Sequence, residues 1–135
     1  MLSLAHICLS VKSLERSIEY YQKLGFKSKF TFTRNGKLYG CFLEINDCNF
    51  LELFENPDMS APVNTGIVHF CLESKNMDAF IEKLNSEGIS HTDKKLGCDN
   101  TWQIWLTDPD GNALEIHEYT DRSMQKSGGE VEADW

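Results

Sequence analysis

The second half of this 135-residue chain restates the first at a constant offset of 63 positions, without a gap. His6 falls on His69, Cys8 on Cys71, Leu9 on Leu72, Lys12 on Lys75, Gly25 on Gly88 and Leu43 on Leu106. The register continues with Asp47 on Asp110, Asn49 on Asn112, Leu51 on Leu114, Glu52 on Glu115 and Glu55 on Glu118. Both ends of each half agree, which scattered chance identities do not produce. Whatever one half folds into, the other must fold into as well.

Each half carries the same local pattern. Residues 4–11 (LAHICLSV) and 67–72 (IVHFCL) alternate with the period of a strand. Each is followed by an amphipathic helical segment, with an apolar stripe of Leu14, Ile18 and Tyr21 in one and Met77, Ile81 and Leu84, beside Phe80, in the other. Ser13 and Asn76 are the candidate N-caps; Gly25 and Gly88 are the stops, since glycine takes the left-handed position just past a helix at no steric cost. Three more strands are expected per half, at 26–33, 38–45 and 49–55, then at 89–94, 102–107 and 112–119. Asn35-Gly36, Asn46-Asp47 and Asp108-Pro109-Asp110-Gly111 supply the turns. The order is βαβββ twice, an α+β chain with modules at 2–55 and 65–119, a Pro-containing linker at 56–64, one domain over 1–120 and an aperiodic, loose tail at 121–135 in which Trp135 has a body to pack against.

Alternation decides which side chains share a face. Glu52 stands between Leu51 and Leu53, and Glu115 between Leu114 and Ile116; His6 and Cys8 alternate with Ile7 and Leu9, and His69 and Cys71 repeat this. The leucine and isoleucine side suits packing under the helix, so the His and Glu residues belong on the opposite side. A carboxylate among apolar neighbours is costly unless something pairs with it. Two histidines and two carboxylates at equivalent positions of a duplicated module point to a metal held by His6, Glu52, His69 and Glu115, a mixed N/O set suited to Zn, Ni, Co, Fe or Mn. A metal-free binding cup with relic symmetry is the alternative, because duplication copies idle residues too. By the same parity Phe42, Phe50, Phe54, Trp105 and His117 line the face of the quartet. The aromatics either cover an apolar substrate group or close the mouth of the cup; His117 either orients a ligand or is merely hydrogen-bonded; His91 is read as structural or solvent-facing.

Composition narrows the partners. Thirteen Lys and Arg against 21 Asp and Glu leave a formal net charge of -8, the wrong sign for a broad phosphate-binding surface. No apolar run approaches a membrane span. Five cysteines, an odd number without a C-x-x-C pair, read as small buried hydrophobes in a reducing, cytoplasmic setting.

The segments HICLSV-K-SLERSIEYYQKLGF, NFLELFE, VHFCLE and TDPDGNALEIHE together resemble the vicinal oxygen chelate superfamily, which includes glyoxalase I, methylmalonyl-CoA epimerase, extradiol dioxygenases and fosfomycin and bleomycin resistance proteins. The resemblance runs from about Leu4 to Tyr119 and implies a cupped mixed sheet built from paired βαβββ modules. His, Glu, His, Glu in this chain order is similar to glyoxalase I, whereas the epimerases usually carry Gln at the place of Glu52. The resemblance therefore implies one divalent ion per site (Ni, Zn or Co, with Fe or Mn as options), no organic cofactor, a homodimer, and a small substrate: the hemithioacetal of a 2-oxoaldehyde and a thiol. It makes Glu115 the proton shuttle, with Glu52 its counterpart on the other face. Ser10 stands where many bacterial glyoxalase I sequences have an Arg for the glutathione carboxylate, which leaves the thiol open; Arg34, Arg122 and Lys126 are the other cations considered. An epimerase-like isomerase and a metal-free small-molecule binding or resistance protein are the two rival readings.

Overall fold

The computed structural model describes residues 3–60 and 66–132. The chain falls into two compact units, Met1–Val63 and Asn64–Trp135.

In the first unit β1 (His6–Val11), α1 (Leu14–Leu24), β2 (Lys27–Arg34), β3 (Lys37–Asn46) and β4 (Asn49–Glu55) follow one another. The sheet order is β1-β4-β3-β2, with β1 parallel to β4 and the other pairs antiparallel. The helix begins where expected: the Ser13 hydroxyl accepts from the Arg16 amide, and Gly25, at φ 110°, ends it while the Phe26 amide reaches back to the Tyr21 carbonyl. Asn35 and Gly36 both take positive φ, 51° and 72°, as a tight hairpin turn requires. Leu14, Tyr21, Leu43, Leu51 and Leu53 are buried at 0–2% exposure, and α1 packs across β3 and β4. Truncating one such leucine to alanine costs about 2–5 kcal/mol. Within the predicted stripe Ile18 is only half-buried, and Ser17 is buried in its place.

The second unit repeats the plan with β5 (Phe70–Glu73), α2 (Met77–Ser86), β6 (Lys95–Leu96), β7 (Thr101–Thr107) and β8 (Ala113–Tyr119), in sheet order β5-β8-β7-β6. Asn76 caps α2 through the Ala79 amide, and Gly88 lies at φ 67° just beyond its end. Asp108 holds the turn before β8 by accepting from the Asp110 and Asn112 amides. The two four-stranded mixed sheets match the fold expected from the sequence.

Four local expectations need correction. Residues 89–94 are not a strand; the ladder is confined to Lys95–Leu96. Ile89 is buried as the end of the α2 cap, and Thr92 is tied to Trp105 by one amide-to-carbonyl bond and by its hydroxyl, while His91 uses both ring nitrogens locally, on the Thr92 carbonyl and on Asn85. Isolated ties of this kind do not make a ladder. The strand expected at 67–72 begins at Phe70, with Ile67 and Val68 exposed before it. The cysteines are not uniformly buried: Cys41 is, Cys98 is half-buried, and Cys8, Cys48 and Cys71 are exposed. The tail is not loose throughout, since α3 (Met124–Ser127) is anchored by the Met124 amide on the Asp99 carbonyl and by Gln125 on Asp99 and Thr101. Trp135 and residues 61–64 of the linker lie outside the described residues.

Candidate metal site

In the first unit the parallel register sets Cys8 beside Glu52 and His6 beside Phe50, and the antiparallel register sets Phe42 across from Glu52. Leu51 and Leu53 point into the core at 0% exposure, so Glu52 faces the other way, as parity predicts. Its side chain is 16% exposed and its Oε2 lies 3.6 Å from Nε2 of His6. The Cys8 thiol hydrogen-bonds to Glu52; burial of the sulfur, that bond and the carboxylate charge together push its pKa up to about 11. The His6 ring meets Phe42 edge to face at 5.3 Å.

Around this pair lies an aromatic surface larger than parity suggested. Phe30 stacks on Phe42 at 4.6 Å, and Phe32 approaches Phe54 at 5.2 Å. Phe30 and Phe32 were missed because β2 contains two register shifts against β3, and these spoil a simple even-odd count. Gly40 lets the Phe54 ring lie flat on the sheet: a Cβ there would come 2.4 Å from Phe54 Cδ1 and 2.7 Å from the Leu53 carbonyl oxygen.

The second unit places the corresponding residues alike, with more polar surroundings. Cys71 is beside Glu115 and Glu73 beside His117 in the parallel register, and Trp105 and Gln103 lie opposite Glu115 and His117. Glu115 is 7% exposed. Its Oε2 is 3.3 Å from Nε2 of His69, and its Oε1 is 2.9 Å from Nε2 of His117. His69 meets Trp105 edge to face at 4.7 Å, repeating the contact of His6 with Phe42. Partial burial of the Cys71 sulfur, then the charge and hydrogen bonding of Glu115, push that thiol up to about 12. One ligand atom from each of Cys71, Glu115 and His117 lies within 4.8 Å of the other two.

This donor chemistry fits a divalent ion. Among the described residues the ion pairs of Glu115 are with imidazoles, not with Lys or Arg. A lone-pair nitrogen facing a carboxylate needs a proton or a cation between them. Imidazole, carboxylate and thiol donors are those that zinc and its first-row neighbours take.

The profile of the Glyoxalase/Bleomycin resistance protein/Dioxygenase superfamily matches residues 3–116, and the chain belongs to that superfamily. Solved structures agree on the fold. A glyoxalase family protein from Enterococcus faecalis superposes with a TM-score of 0.76 at 24% identity, covering 86% of this chain and 97% of that one. A bleomycin-binding protein complexed with bleomycin gives 0.70 at 20% identity, over 89% of this chain and 100% of that one. A lactoylglutathione lyase from Agrobacterium tumefaciens gives 0.65 at 18% identity, over 86% and 92%. The fold and the donor cluster are compatible with a metal-binding enzyme of the isomerase or lyase type. Among the described residues no helix is long and apolar enough to cross a membrane.

Proposed function

We propose that this chain is a metal-dependent isomerase of the glyoxalase I type, turning the hemithioacetal of a 2-oxoaldehyde and a thiol into a 2-hydroxyacyl thioester. The observation that carries the reading is Glu115, a carboxylate at 7% exposure with an imidazole on each of its oxygens. Enclosing an anion so completely is costly unless a cation or proton joins it.

His6, Glu52, His69 and Glu115 hold the ion in this reading, one histidine–glutamate pair from each kind of unit, whether from one chain or from two copies in a homodimer. Bound there, Ni, Zn or Co supplies Lewis acidity to adjacent oxygens of the substrate. Glu115 takes the proton from one carbon and returns it to the next, and His117 fixes the orientation of its Oε1. Glu52 is its symmetry counterpart and the second candidate for this role in the reading. Phe42, Phe50, Phe54 and Trp105 supply apolar surface for a methyl or thioether group. Ser10 stands where many bacterial glyoxalase I sequences have an Arg for the glutathione carboxylate, so thiols other than glutathione are candidates.

The Phe30, Phe32, Phe42, Phe54 surface favours a second reading, metal-free binding of a planar apolar compound. Elemental analysis of protein purified without chelator, with hemithioacetal isomerisation assayed on thiols of different charge, separates the two. About one Ni, Zn or Co per site with turnover supports the isomerase. Protein that takes up neither metal nor activity on reconstitution leaves the binding protein.

A further inference from the structure

The two units are copies, yet they differ beside the glutamate, and one of the differences changes the donor chemistry. In the first unit the residue two places after Glu52 is Phe54; in the second the residue two places after Glu115 is His117. The cysteine is present in both, Cys8 next to Glu52 and Cys71 next to Glu115 in the strand register. The first unit also gathers an imidazole, a thiol and a carboxylate in His6, Cys8 and Glu52, but among the described residues it is Cys71, Glu115 and His117 that each bring a ligand atom within 4.8 Å of the other two. Both units share the parallel pairing of first and last strand; the difference lies in the residue two places after the glutamate, which in β8 is a donor facing Cys71 and Glu115. His117 is itself largely enclosed, its side chain 14% exposed, and it touches Glu115 through the oxygen that does not face His69.

We propose that Cys71, Glu115 and His117 form a sulfur-containing metal site, in which the Cys71 thiolate is a direct ligand and His117 a second nitrogen donor. The inference rests on the reading above in taking Glu115 as a ligand; it departs from it by adding donors from the same unit. Sulfur ligation releases the thiol proton to solvent and selects borderline ions such as zinc and cobalt over magnesium and manganese, which prefer oxygen. In the first unit Phe54 stands where His117 stands in the second, so Cys8 and Glu52 lack an imidazole at that position. An ion held between Glu115 and this thiol is retained by the second unit whatever its partner donors do.

Titration of the metal-free full-length protein with Co(II) alone tests this, because a thiolate bound to Co(II) gives an intense near-ultraviolet sulfur-to-metal band that oxygen and nitrogen ligands do not. The band is expected in the parent and in Cys8→Ser and Cys48→Ser, and absent in Cys71→Ser, with weaker Co(II) binding in His117→Asn. Loss of the band in Cys8→Ser instead, or binding of Co(II) with no such band in any protein, overturns the sulfur site while leaving the His–Glu reading standing. Failure to bind Co(II) at all overturns both. Circular dichroism of Cys71→Ser, whose side chain differs from the parent by one atom, guards against misfolding as the cause.

Discussion

Nε2 of His117 lies 2.9 Å from Oε1 of Glu115, two residues along the same strand face, while the position equivalent to His117 in the first unit is Phe54. One backbone plan thus carries a histidine, cysteine and glutamate in both copies, with an extended aromatic surface beside them in one and a further imidazole in the other. That division gives each unit its own set of tests.

Replacing Glu115 by Gln removes the charge and the proton acceptor but keeps the volume. Turnover on the hemithioacetal is expected to fall by at least about 10²-fold, the usual worth of a positioned general base. The metal-free variant should melt no lower than the metal-free parent, because it buries one charge fewer. Steady-state kinetics and a melting curve read both quantities.

Glu55 and Glu118 have a structural task that the site does not share. Glu55 Oε1 accepts from the Leu14 amide at 3.1 Å, and Glu118 accepts from the Met77 amide, so the end of each final strand caps the first turn of its unit's helix. Glu118→Ala should lower stability by about 1 kcal/mol, a fall of about 3–5 °C in Tm for a chain of this size, with kcat unchanged. Differential scanning calorimetry beside the activity assay measures it.

The C-terminal turn should be released by acid later than an ordinary aspartate would allow. Burial alone would raise the pKa of Asp99, but hydrogen bonds from Gln125 and Thr101 and the neighbouring His117 outweigh it and hold the carboxyl below the usual range. A lowered folded pKa contributes stability that is complete above the unfolded value and is lost as pH falls through the folded one. Amide NMR shifts of Thr101 and of the Gln125 side chain should therefore move together only below the ordinary aspartate range, and Asp99→Asn should abolish that step. A midpoint at the ordinary value would refute the anchoring role.

Alkylation of the thiols at mildly alkaline pH should separate them. Cys48, exposed in the turn between β3 and β4, is expected to react first. Cys8 and Cys71 are also exposed, but with their pKa values at about 11 and about 12 they supply little thiolate; Cys41 is both buried and raised to about 11. Peptide mapping after a timed iodoacetamide reaction gives the order, and metal-free protein in which Cys71 labels as fast as Cys48 would contradict it.

Much of the fold was legible because its signals are local. The caps Ser13 and Asn76, the stops Gly25 and Gly88 and the Asn35-Gly36 turn depend on residues a few places apart, and the structure forms all of them; the 63-position repeat is read from the residues directly. Strand parity likewise separated Leu51 and Leu53 from Glu52, and Leu114 and Ile116 from Glu115. Pairing of His6 with Glu52 and of His69 with Glu115 follows from that parity once the first and last strands of a unit lie side by side.

What alternation could not supply was the register between strands and where pairing stops. The two shifts in β2 bring Phe30 and Phe32 onto the Phe42 and Phe54 surface. Residues 89–94 follow α2 as β2 follows α1, but among the described residues it is Thr92 that hydrogen-bonds this segment to the β7 backbone. The approach of Cys71 to Glu115 and His117 depends on the β5–β8 register, and the capping of α2 by Glu118 on a contact between residues 41 positions apart. The sequence by itself therefore determined the repeat and most of the elements and faces, the latter because they arise from steric and hydrogen-bonding preferences within a few residues. Only the tertiary structure decided which donors meet, because that is settled by long-range pairing whose geometry no local pattern encodes.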